Sequence, residues 1–135
     1  MTPQPLPPLR HCFVSEIIGT FILIFFGCGA VHTAVLYGAQ AGLWQVAIVW
    51  GVAIMLAIHA TGSISGAHIN PAITVAMFCW QGFGRERVLP YIAAQFIGAF
   101  LAAAVLFLLF SAKLAEVEQR KGVVRGEPGS EITAT

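Results

Sequence analysis

The chain has 135 residues, of which 58% are apolar and 10% charged, and seven Lys/Arg against six Asp/Glu leave a formal net charge of +1. That balance excludes a basic surface for nucleic acid. The placement of the charges excludes a soluble domain too: residues 17–84 and 88–112 hold no Asp, Glu, Lys or Arg, where a soluble chain would spread roughly a quarter charged residues along its length.

Taken in chain order, residues 1–12 form a Pro-rich polar lead that is expected to be disordered. A membrane-spanning helix needs about 20 mainly apolar residues, because each advances ~1.5 Å through a hydrocarbon core ~30 Å thick. Residues 14–36 meet that test and are too long for a signal-peptide core, so they read as a retained span. A short loop over residues 37–42 leads to a second span at 43–62. On that helix Ile54, Ala57 and Thr61 share the face of Trp50, while His59 lies half a turn away and is expected in a buried or interhelical hydrogen bond. Trp50 is either an interfacial tryptophan, a role better suited to Trp44 and Trp80, or a side chain aimed into the protein, since it sits two turns inside the span.

Residues 63–80 carry the chemistry. They hold no charge, so membrane depth is allowed, yet glycine and serine break them too often for one continuous span. Asn70 followed by Pro71 is a helix-start signature: an Asn cap, then a proline whose missing N–H would have had no partner in the first turn. The ten residues from Pro71 to Trp80 are worth ~15 Å of helix, half a membrane. The reading is an extended segment that dips into the bilayer and a half-helix that returns. A surface loop followed by an interfacial helix is disfavoured, because that helix carries no Lys or Arg.

Irregular backbone at membrane depth survives only when buried in protein or lining a water-filled cavity. Gly66, Ala67, His68 and Ile69 would then offer backbone carbonyls to that cavity, and the Asn70 amide would donate at the positive end of the half-helix. Acceptors leading to a donor suit water or a neutral hydroxyl compound, and the positive helix end disfavours cations and protons.

The third span covers residues 88–110, where Ala94, Gly98 and Ala102 form a small-residue seam for close helix packing. Residues 113–135 hold eight of the thirteen charges and read as an extramembrane tail with a turn or two of helix near Glu116–Arg120. Cys12, Cys28 and Cys79 and the four histidines show no metal-ligand spacing, and no nucleophile–base pair or phosphate loop is present. The sequence points to no enzyme, metal or cofactor.

The run Ser65-Gly66-Ala67-His68-Ile69-Asn70-Pro71-Ala72 resembles the first Asn-Pro-Ala signature of the aquaporin (major intrinsic protein) family, and Glu16-Ile17-Ile18-Gly19-Thr20 resembles the start of its first span. Trp50 in Ile48-Val49-Trp50-Gly51, Arg85-Glu86-Arg87-Val88-Leu89-Pro90-Tyr91 and Val123-Val124-Arg125-Gly126 lean toward the glycerol facilitator branch. The resemblance implies an all-α membrane protein, three transmembrane helices plus one re-entrant half-helix, that is, one inverted repeat of the aquaporin-like fold over residues 13–112. It implies that Asn70, Pro71, Ala72, Trp50, Gly66, Ala67, His68 and Ile69 contact solute in a pore, with Trp50 as its apolar wall. Glu16 has two readings: a first-turn acid that suits the helix dipole, or, as the resemblance implies, a buried anchor for the re-entrant segment.

Counting Lys and Arg gives no net vote on orientation. The resemblance implies a cytoplasmic N-terminus in a plasma or inner membrane, and a tail like the extracellular loop to a fourth span. It also implies that this is the first of two halves. Glycerol, water and small polyols would be the solutes, the lipid bilayer the surroundings, and a homotetramer the complete assembly. Two alternatives stand beside this reading: a homomeric half-channel, and a non-conducting regulatory partner of a full channel.

Overall fold

The structure, a computed structural model, describes residues 7–39 and 42–127. Four helices follow one another: α1 Leu9–Tyr37, α2 Leu43–Ser65, α3 Pro71–Gln81 and α4 Arg85–Lys121. Each closes on a glycine in the left-handed region, Gly38, Gly66, Gly82 and Gly122. A residue with a Cβ takes up that conformation only at a cost. Helices α1, α2 and α4 are long and apolar enough to cross a membrane. At ~16 Å, the 11-residue α3 is not.

The expected spans lie inside these helices, and α2 runs on through Ser65, so residues 63–65 of the expected extended segment are helical; two further boundaries are corrected. Helix α1 begins at Leu9, directly after Pro8, so residues 9–12 of the expected disordered lead are helical. Their order has a cause. Cys12 is fully buried, and its thiol lies 3.4 Å from the carbonyls of both Pro7 and Ile64. The Arg87 guanidinium donates to the Pro7 carbonyl at 3.2 Å and reaches Cys12 Sγ at 3.5 Å. The remainder of that lead, residues 1–6, lies outside the described residues.

The second correction is at the other end. Helix α4 runs unbroken for 37 residues, ~55 Å, through to Lys121, so the turns of helix expected near Glu116–Arg120 are the end of α4, and the helix covers residues 113–121 of the expected tail. Leu114 and Val117, three apart and on one face, pack against Leu36 of α1 beside Phe110. Lys113 bridges to Glu116 at 2.6 Å. Beyond Gly122 the chain folds back, and Arg125 donates to Glu118 at 2.7 and 3.1 Å. Residues 128–135 lie outside the described residues.

Helix α1 is central, packed on α2 along one side and α4 along the other, while α3 rests on α4. The contact faces are lined with small residues: Ala53 and Ala57 of α2, Ala94, Gly98 and Ala102 of α4, all buried. A side chain at Gly98 would fall on the Ile17 carbonyl oxygen of α1, so this glycine sets how closely α1 and α4 approach. The outer faces stay apolar and uncovered, with Leu43, Leu89 and Leu108 each at least 74% exposed. Such faces are stable only against lipid or protein.

Candidate functional site

The carboxylate of Glu16 is the hub of the interior. It is fully buried and accepts hydrogen bonds from Ser65 Oγ at 2.6 Å, the backbone N–H of His68 at 3.0 Å, that of Ile69 at 2.7 Å and Gln95 Nε2 at 2.8 Å. One acid from α1 thus holds the end of α2, the extended segment and α4 together. Gln95 Nε2 also donates to Thr74 Oγ1 at 2.9 Å, and Thr74 passes its own proton to the Asn70 carbonyl at 3.2 Å. Tyr91 completes the cage, its hydroxyl donating to the Ser65 carbonyl at 2.9 Å.

That anchoring decides where the carbonyls point. The N–H of Ala67 donates to Ser65 Oγ at 3.1 Å, and those of His68 and Ile69 donate to Glu16. In a planar trans peptide the C=O opposes the N–H. The carbonyls of Gly66, Ala67 and His68 are therefore turned away from Glu16, and among the described residues they accept no hydrogen bond. The backbone adopts an unusual course to do this: Gly66, Ala67 and Ile69 all have positive φ, at 85°, 49° and 46°. For Ala and for β-branched Ile that conformation is strained, and the four bonds to Glu16 hold it in place.

Asn70 then starts α3. Its Oδ1 accepts the Ala72 N–H at 2.8 Å, with Pro71 at the first helical position. Because the oxygen is committed to the cap, the exposed amide NH₂ is left as a donor pointing out of the helix end.

Two clefts adjoin at this point. One, of about 330 Å³, is lined by Trp50, Ile69, Asn70, Pro71, Thr20 and Gln95 among others. The other, of about 370 Å³, is lined by Ile54, Ile58, Ala67, His68 and Asn70 among others. They share Leu23, Ile69 and Asn70, so Asn70 lies on the wall of both. Thr20 Oγ1 and Gln95 Oε1, on two residues that line the first cleft, are buried without a partner among the described residues.

Comparison with known proteins places this geometry. Residues 6–134 match the Major intrinsic protein family. The chain belongs to that family. Among its relatives it is 42% identical over 129 residues to the glycerol uptake facilitator protein of Pseudomonas aeruginosa, covering 96% of this chain and 46% of that protein. It is 43% identical over 112 residues to the propanediol uptake facilitator of Salmonella typhimurium, covering 83% of this chain and 42% of that protein. The aquaglyceroporin of Plasmodium falciparum superposes with a TM-score of 0.76 at 27% identity, covering 81% of this chain and 45% of that one. The chain thus spans about half the length of the curated relatives it matches. Its fold is one aquaporin-like repeat in a multi-pass membrane protein, and the family is one of channels and transporters, not enzymes.

Of the residues singled out from sequence, the major intrinsic protein fold gathers Trp50, Asn70, Pro71 and Ile69 on one cleft, and Ala67 and His68 on the next. Gly66 and Ala72 line neither cleft. The His68 ring is 5% exposed, packed between Phe83 and Tyr91 at 4.6 and 5.0 Å, and its Nδ1 lies 3.2 Å from Thr74 Oγ1. His59 departs from expectation: it is exposed on the outer face of α2.

Sequence reasoning missed Ser65, Thr74, Tyr91 and Gln95. Gln95 carried a usable signal, since a polar amide in the middle of a charge-free span needs a protein partner. Ser65 and Thr74 carried only their proximity to the Asn-Pro pair, and Tyr91 only its place in the run Arg85–Tyr91.

Proposed function

We propose that this chain forms the first half of a passive channel for glycerol, other small polyols and water. The carrying observation is the pair of clefts that share Asn70, with an indole on one wall and the Asn70 amide, its oxygen committed to the helix cap, on both. A polyol has a carbon face and a hydroxyl edge. The Trp50 indole suits the first, while the Asn70 amide and the freed carbonyls of the extended segment suit the second. The positive end of α3 at the same point repels cations, so neutral solutes pass.

The exposed apolar faces favour a second half that completes the pore. The names of the relatives, glycerol and propanediol uptake facilitators, support the solute class. On this reading the complete protein is a homotetramer in the plasma or inner membrane, with the N-terminus cytoplasmic. Light-scattering traces of proteoliposomes carrying the complete channel test it. Glycerol and water permeabilities well above those of empty vesicles are expected. Permeabilities equal to bare lipid, with correctly inserted protein, would end the reading.

A further inference from the structure

A glycine within α1 has no backbone reason to be there. Gly27 is in the middle of the helix with no positive φ, where alanine would serve the helix better. Its reason is across the interface. A Cβ at Gly27 would meet Trp50 Cδ2, Cε2 and Cε3 at 2.6, 2.6 and 2.7 Å. Near-equal distances to three atoms of one ring put that carbon over the centre of the six-membered ring. The indole therefore lies face-on against the bare α1 backbone at Gly27.

Trp50 also lines the 330 Å³ cleft, together with Ile69 and Asn70. A methyl at Gly27 would need the ring to withdraw by about 1 Å to reach ordinary carbon–carbon separation. The α1 backbone blocks one face of the ring, so making room for a methyl displaces the indole away from α1 and alters the wall that Trp50 gives the cleft.

We propose that Gly27 is a specificity-positioning residue: by having no side chain it seats the Trp50 indole against α1 and so sets the width of the passage beside Asn70. The inference rests on the reading of Trp50 as a pore wall. Size discrimination is then shared between a residue that touches solute and one that does not.

The test is the ratio of glycerol to water permeability in proteoliposomes of the complete channel. Gly27→Ala is expected to lower glycerol permeability about tenfold, the scale on which one methylene matters in a fitted pocket, with water permeability much less affected. Gly29→Ala is the control: its added methyl would meet Leu106 Cδ2 at 3.4 Å, an ordinary contact, and both permeabilities should stay as they were. Adding Trp50→Phe to Gly27→Ala, a ring that reaches less far, should restore glycerol passage. If Gly27→Ala assembles and keeps its ratio while Trp50→Ala changes it, the role of Gly27 is overturned and the pore wall stands. Should Trp50→Ala also leave the ratio unmoved, the pore-wall reading itself fails. Should Gly27→Ala not assemble, assembly and flux regained with Trp50→Phe support the proposal, and failure to regain them overturns it.

Discussion

Gln95 and Glu16 meet inside the bundle at 2.8 Å, the amide donating to the carboxylate across 79 residues of chain. The same amide nitrogen reaches Thr74 at 2.9 Å. Gln95 therefore ties the anchor of the extended segment to the half-helix that follows it. Gln95→Leu should remove both bonds and lower unfolding free energy by about 1–2 kcal/mol. Thermal unfolding in detergent checks this; an unchanged midpoint would mean that the bridge contributes nothing. Gln95→Glu should be worse, since it sets a second carboxylate against the first.

Glu16→Gln keeps the shape of the hub and replaces one acceptor oxygen with a donor. Four donors converge there, so at least one is left facing an N–H. A loss of about 2–3 kcal/mol is expected, together with release of the strained turns at Ala67 and Ile69. Faster amide hydrogen exchange confined to residues 66–70 is the readout. Unaltered exchange would refute the anchoring role.

Asn70 has two separable duties, and Asn70→Asp divides them. Asp caps α3 as well as Asn does, so stability should hold within about 0.5 kcal/mol. The donor is lost and a negative charge appears on the wall of both clefts. Glycerol flux should fall by about tenfold or more. Full flux with normal expression would remove the amide from the conduction path.

Trp50→Ala opens the wall of the first cleft. Larger polyols should then pass relative to glycerol more readily than before, measured as a series of permeabilities in proteoliposomes. An unchanged series would take Trp50 out of the constriction.

Gly98→Ala places a methyl on the Ile17 carbonyl oxygen. A backbone oxygen cannot rotate away, so α1 and α4 must separate, at a cost of about 1–3 kcal/mol. The lowered unfolding midpoint should not appear with Gly51→Ala, where nothing lies within 4 Å.

How much of this was legible in the sequence depended on what each residue signals alone. The half-helix was legible because Asn70 and Pro71 satisfy local rules of helix initiation, and α3 begins at Pro71 as those rules require. The three spans were legible because lipid tolerates no charge. The same rule misplaced the end of α4. The charges after Ser111 looked like a tail, yet Leu114 and Val117 carry a buried face beneath Lys113 and Glu116. Helix length there is set by packing on Leu36, which is far away in sequence. Gln95 and Gly27 were passed over for opposite reasons. The first was a polar residue without a visible partner, and the second matters through the side chain it lacks, which only the position of Trp50 reveals.

The bonds to Glu16 span 49, 52, 53 and 79 residues, and every partner lies later in the chain. Synthesis from the N-terminus therefore delivers the acid to the membrane first and its donors afterwards. Ser65, His68 and Ile69 arrive together, and Gln95 arrives last. Nascent chains stopped short of Gln95 hold three of the four bonds and carry an incomplete hub. The hub is in this sense complete only when the third of the long apolar helices has been made.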